Sequence, residues 1–188
     1  MEEYNIQNQI KRIALSLFGL ILLGALCSYL FKSSIQSLGL WTIEKMGIYG
    51  IVLGTLITDT SPIPLTSEPI ALIGLGADLN VVEIIVAMSI TSHFAGPIGY
   101  GCGYLLKTIP NVQDFAQSRF PTIFQFMRNH GIKGVCMGAL LPIPYALTTW
   151  TAGLVGVSFW GTVAASSLRW IKTAVFVSLI WVGWTAVP

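Results

Sequence analysis

The chain has 188 residues, of which 54% are hydrophobic and only 10% charged, and ten Lys/Arg against eight Asp/Glu leave a formal charge of +2. That balance lies outside the range of soluble domains and excludes a disordered chain, a disulfide scaffold and a nucleic-acid module, for which +2 is too little to neutralise phosphates. It predicts an all-α integral membrane protein, a single membrane domain over 1–188.

In chain order, Lys11 and Arg12 precede nineteen uncharged residues, 13–31. At 1.5 Å per residue these span a hydrocarbon core of about 30 Å, and no small-residue cleavage site follows, so a retained first span is expected. Trp41 to Met46 is expected to lie along the outer surface. The apolar segment 46–77 is broken at its centre by Pro62-Ile63-Pro64. Two prolines one residue apart remove amide donors and restrain their predecessors, which stops a helix instead of kinking it. The arms left over, roughly 15 to 20 Å long, reach half way through a bilayer, so the segment is expected to enter, turn near the midplane and leave on the same side. Val81 to Leu106 is a second span, with only Glu83 near its start and His93 within it. The stretch 111–129 mixes Phe115, Phe120, Phe124 and Met127 with Arg119 and Arg128 and reads as one amphipathic segment on the cytoplasmic face. Residues 131–157 carry a second triplet, Pro142-Ile143-Pro144, and form the second re-entrant hairpin. The third span is 158–187, broken only by Arg169 and Lys172.

An internal repeat organises these parts. Gly47-Ile48-x-Gly50-x-x-x-Gly54-x-Leu56 recurs as Gly131-Ile132-x-Gly134-x-x-x-Gly138-x-Leu140, and each copy runs on into its Pro-Ile-Pro. The segment from Lys107 to Lys133 holds four bases against Asp114 alone, which places it, and the N-terminus, in the cytoplasm. One crossing then separates the two hairpins, so they are expected to be inverted, with their tips facing one another at mid-bilayer, where transporters place binding sites. The fold class expected is three transmembrane helices plus two inverted re-entrant helical hairpins.

The copies differ by an insertion of four residues: Leu141 alone separates Leu140 from the second triplet, whereas Ile57-Thr58-Asp59-Thr60-Ser61 separates Leu56 from the first. Beyond that triplet Ser67-Glu68-Pro69 looks like a helix start with Ser67 as N-cap. Asp59 and Glu68 thus flank the first tip. An ionisable group near the bilayer centre costs about 2.5–3.5 kcal/mol on insertion scales, so each needs a partner or a function, and both are candidate proton carriers. Otherwise they serve only as backbone cap and helix-start residue. Arg169 and Lys172, three apart on one helical face, offer positive charge to those acids or to a ligand phosphate, or else snorkel to an interface. His93 is either a pathway residue or a satisfied core histidine. Trp160, Trp170, Trp181 and Trp184 fit interfacial belts or lipid-facing packing better than a cofactor box. Cys27, Cys102 and Cys136 show no metal-ligand spacing and read as small core residues. No H-E-x-x-H, G-x-S-x-G or P-loop occurs, and Gly74-Leu75-Gly76-Ala77-Asp78 has one residue too many for the G-x-G-D of intramembrane aspartyl proteases. No enzyme, metal or cofactor is implied.

The two proline-tipped hairpins carry the acid after the first tip, Gly99 and Gly103-Tyr104. With Thr151-Ala152-Gly153-Leu154-Val155-Gly156 after the second tip, the chain resembles the DedA family, also called the VTT or SNARE-associated Golgi family, over about residues 40 to 175. The resemblance implies a small polytopic protein of a bacterial, archaeal or organelle membrane that moves lipids between leaflets, by phospholipid scrambling or proton-coupled return of polyprenyl phosphate. Glu68 and Asp59 match the family's acidic tip positions and Arg169 its basic residue in the last span. Departures are Ala139 and Tyr145, where bacterial relatives carry arginines, and Tyr100, where they carry an acid; Lys107 is an approximate match to the basic residue after Tyr104. These departures point to a divergent branch.

The reading is therefore a lipid translocase of a prokaryotic plasma membrane. Its polar path involves Asp59, Glu68, His93, Tyr145, Arg169 and Lys172 between tips marked by Pro62, Pro64, Pro142 and Pro144. Its partners are lipids with anionic or phosphate-bearing headgroups, with protons as a candidate coupling ion. Gly47, Gly50 and Gly54 suit either hairpin packing or homo-oligomer contacts. The alternatives are a proton-coupled exporter of small solutes or cations and a non-transporting membrane scaffold.

Overall fold

A computed structural model describes residues 32–61, 66–141 and 144–186, and among these every regular element is a helix. The expected first span, 13–31, and the tip residues Pro62, Pro64 and Pro142 lie outside the described residues, as does Cys27.

Residues 41–46 form the last part of helix α1 (Lys32–Met46), which bends by 105° at Gly47 into α2 (Ile48–Thr60). After the first tip comes α3 (Glu68–Gly76), and then α4 (Val81–Leu106), whose start is fixed by Asn80 Oδ1 accepting from the Val82 amide at 2.8 Å. The expected single amphipathic segment is two helices, α5 (Val112–Arg119) and α6 (Pro121–His130). Pro121 supplies no amide donor and holds Phe120 out of the helical region, which splits the run. Only α6 has a buried face, Phe124 and Met127; α5 buries nothing. The second hairpin is α7 (Ile132–Leu140) and α8 (Tyr145–Val155), with Pro144 in the N-cap position of α8. The apolar stretch expected as one third span is α9 (Phe159–Ser166) and α10 (Leu168–Ala186), interrupted at Ser167. There the Ser166 hydroxyl bonds back to the Thr162 carbonyl at 2.8 Å and the Ser167 amide turns to the Ala164 carbonyl, a local tightening typical of serine inside helices.

Val81–Leu106 and Phe159–Thr185 are long and apolar enough to cross a membrane, and the bent pair α1–α2 makes a third candidate if counted as one span. Their packing follows the repeat. The leading arm of each hairpin packs on the long helix of its own copy: α2 on α4, and α7 on α9 and α10. The returning arms exchange: α3 packs on α10, and α8 packs on α4. Ser92 meets Arg169 of α10 while Gly96 faces Ser166 of α9, so the α9–α10 stretch runs antiparallel to α4. Because α2 runs with α4, and α8 with α4 along Gly96, Gly99 and Gly103, the two hairpins point in opposite senses. A core of Ile51, Ala71, Leu75, Ile84, Met88 and Val177 ties the first hairpin to both long helices. A second, of Tyr100, Met127, Val135, Ala152 and Ala165, ties the other hairpin to α4, α6 and α9.

Candidate functional site

The insertion before the first tip extends α2 by about one turn, and Asp59 sits on that turn, 2% exposed. Its Oδ2 receives Arg169 Nη2 at 2.7 Å and the Ser92 hydroxyl at 2.5 Å, and Ser92 in turn accepts from Arg169 Nε at 2.6 Å. The same Nη2 reaches Ser67 Oγ at 3.2 Å. Three elements thus close on one guanidinium, which is 2% exposed. Its planar fork suits this, since Nε and Nη2 point to a hydroxyl and a carboxylate at once. Ser67 stands at the N-cap of α3, with Glu68 and Pro69 in the first turn, as the sequence suggested, but its side chain makes no cap bond and its hydroxyl serves Arg169 instead.

One turn further along α10, Lys172 Nζ lies 3.0 Å from Glu68 Oε1. Lys172 is 4% exposed, while the Glu68 side chain keeps 21% of its surface open. Neither base snorkels: both are buried and paired, and the alternative raised by their place on a long apolar helix is excluded. Two acids and two bases leave the cluster with no net charge, the condition under which buried charges are tolerated.

From the second hairpin, Tyr145 lays its ring against Arg169, with Cζ 4.6 Å from the ring centroid, and donates its hydroxyl to Ser166 Oγ at 2.5 Å. Ser166 passes a bond on to the Thr162 carbonyl. Trp150 Nε1 reaches across to the Thr60 carbonyl at 2.8 Å, so α8 is also bonded to the last turn of α2. That carbonyl is one of four at a helix end with no partner inside the helix.

The cluster has a definite depth. Ser92 stands about 17 Å from the start of the 26-residue α4, near its middle, and Arg169 and Lys172 are near the middle of Phe159–Thr185. Asp59 and Ser67, on either side of the first triplet, and Tyr145, just after the second, therefore meet Arg169 at mid-length of the long helices.

Of the residues singled out in the sequence, Asp59, Glu68, Arg169, Lys172 and Tyr145 come together. His93 does not: its Nδ1 is buried without a hydrogen-bond partner among the described residues, and its ring stands edge-on to Phe94 at 5.8 Å. Ser92, Ser166 and Trp150 were missed. The polar run Thr91-Ser92-His93 inside an apolar span was the available signal for Ser92; nothing local marks the other two. Asp78 lies elsewhere, with φ of 56°, beside a pocket of about 420 Å³ near the far end of α10 lined by Gln36, Trp181 and Thr185. Cys102 and Cys136 are free, and among the described residues no three His, Cys, Asp or Glu side chains are grouped to hold a metal ion.

The arrangement can hold and release charge. Each acid satisfies a base that would otherwise bind an anion, and each base gives a buried acid the partner its burial demands. No family model, curated protein or solved structure matches the chain.

Proposed function

We propose that this chain is an integral membrane protein, a divergent relative of the DedA family with three crossings and two inverted re-entrant hairpins, that moves lipids between leaflets. The observation that carries the reading is the charge-neutral cluster of Asp59, Glu68, Arg169 and Lys172 at mid-length of the long helices, fed by residues from both hairpin turns. A headgroup phosphate entering between the hairpins takes the place of a carboxylate on Arg169 or Lys172. The displaced carboxylate takes a proton or the headgroup ammonium. Removing one partner of a buried pair costs about 3–5 kcal/mol, so a headgroup must supply the missing charge as it arrives. Acyl tails stay outside against the exposed apolar faces of α4 (Val86, Ile90, Phe94) and α10 (Ile171, Val175, Leu179). Such faces are what distinguish a lipid path from one closed to lipid on its sides, which favours translocation over export of solutes.

The test is dithionite quenching of fluorescent phospholipids in proteoliposomes. Wild-type protein is expected to expose both leaflets to the quencher. Glu68→Gln, chosen because Glu68 is the least buried of the four, is expected to slow flip at least several-fold, and Arg169→Ala more. Wild-type vesicles that protect half their label as protein-free vesicles do would overturn the function. Flip unchanged in Glu68→Gln would overturn the site.

A further inference from the structure

The seam between α2 and α4 holds polar atoms that the charged cluster does not use. Thr55 and Ser89 are each fully buried, and Thr55 Oγ1, Ser89 Oγ and His93 Nδ1 have no hydrogen-bond partner among the described residues. Buried hydroxyls without partners are rare in proteins, because each forfeits its bonds to water and receives nothing in return.

The register of the seam brings two of them together. Asp59 meets Ser92, 33 residues on, and Ile51 and Ile84, with the same separation, pack against each other at Gly74. With the two helices parallel and in that register, Thr55 lies opposite Met88 and Ser89, one helical turn from the Asp59–Ser92–Arg169 bonds. Thr55 and Asp59 are four apart on α2, and Ser89 and His93 four apart on α4, so each pair shares a helical face. Among the neighbouring hydroxyls, those of Thr58, Thr91 and Ser166 bond to carbonyls of their own helix and that of Ser92 to Asp59. Thr55 and Ser89 do not.

We infer that the Thr55 and Ser89 hydroxyls form a binding site for an internal water molecule, with His93 Nδ1 one turn along α4 as a further contact. A buried water typically makes about three hydrogen bonds to otherwise unsatisfied groups, which matches the three atoms here. The site gives the first hairpin a hydrated flank next to Asp59 and is independent of what the protein transports.

Two measurements test it in the full-length protein. In X-ray hydroxyl-radical labelling, radicals formed at bound water oxidise the nearest side chain. Met88, 2% exposed beside Ser89, is expected to gain oxygen several-fold faster than Met127, which is equally buried in the other core. Thr55→Val and Ser89→Ala should bring Met88 down to the Met127 rate. Each single variant should also lower the melting temperature by a few degrees, and the double variant by less than the two together, because one shared water is lost only once. Equal labelling of Met88 and Met127 in the wild type overturns the site. So does a melting temperature that rises in either variant, the result expected when an unpaired hydroxyl is simply removed from a dry seam.

Discussion

The two hairpins begin alike and end differently. Gly47 and Gly131 open them with nearly the same backbone, φ 57° and ψ −150° against φ 52° and ψ −123°, in a region that residues with a Cβ avoid. From there each leading arm follows the long helix of its own copy to the middle of the molecule. At the turn the copies part. The first has an extra turn of helix bearing Asp59, then a delayed start to α3 with Glu68 as its first residue. The second starts α8 directly after Pro144 with uncharged Tyr145, and Thr148, with the place four after its tip that Glu68 holds in the first, packs on Gly138. The shared glycine pattern thus accompanies a shared frame, and the four-residue difference between the copies brings the charge to the first turn. The acids are confined to one hairpin, the bases to the last helix, and the other hairpin contributes an aromatic face and two tethering bonds.

The largest way to break this contrast is to take the charge from the first turn. Asp59→Ala leaves Arg169 buried with only hydroxyl partners and is expected to lower unfolding stability by about 3–5 kcal/mol. Replacing Arg169 by Met in the same chain should recover most of that loss, since two apolar groups need no partner; a chemical-denaturation cycle in detergent measures the coupling. Glu68→Gln should cost less, because its side chain is partly open to solvent. The equivalent exchange in the second hairpin, Thr148→Val, should cost far less than Asp59→Ala.

Next come the shared openings. Gly47→Ala and Gly131→Ala force a Cβ into the same strained backbone, and neither has any atom within 4 Å of the added carbon, so conformational strain alone is at work. Each is expected to cost about 1–3 kcal/mol, and the two losses should agree within experimental scatter if the openings are true equivalents. Thermal unfolding of the two variants side by side gives the comparison.

What the sequence made legible follows the same division. The repeat, the stops at the two triplets and the bounds of α4 are local properties of glycine spacing, proline and apolar length, and they can be read without coordinates. The four charges were also visible, because ionisable residues in apolar segments are rare. Their pairing was not: Asp59 and Arg169 are separated by 110 residues, and only the exchange of returning arms brings α10 to the first tip. Ser67 sits at the N-cap as the local rule for helix starts predicts, but its hydroxyl is claimed by a distant guanidinium, which that rule cannot see. The break at Ser167 and the division of 111–129 arise from a single back-bonded serine and a single proline, signals too small to outweigh a long apolar or amphipathic run.

A smaller effect separates the hairpins by how tightly their arms close. A Cβ on Gly138 runs into the Thr148 side chain, including its branching carbon, while one on Gly54 meets the end of the Ile70 side chain at 3.0 Å. Ile70 can turn its terminal methyl aside; Thr148 has no such freedom against the short second hairpin. Gly138→Ala is therefore expected to cost about 1–3 kcal/mol by overpacking and Gly54→Ala less than about 1 kcal/mol. Equal costs would mean that the two hairpins close with the same tightness.

The smallest effect tests the bond between them. Trp150→Phe keeps most of the ring and deletes the donor to the Thr60 carbonyl, so the expected loss is that of one hydrogen bond, about 0.5–1.5 kcal/mol. Its location is more informative than its size. The last turn of α2 is closed by the Ser61 amide on the Ile57 carbonyl, and the last turn of α7 by the matching bond from Leu141 to Met137. Only the first of these turns is tethered by an indole from the other hairpin. Hydrogen exchange at the Ser61 amide should quicken in Trp150→Phe while that at Leu141 stays unchanged. Equal quickening at both would mean that the tryptophan acts by packing against the glycines of α4 instead of holding the first turn in place.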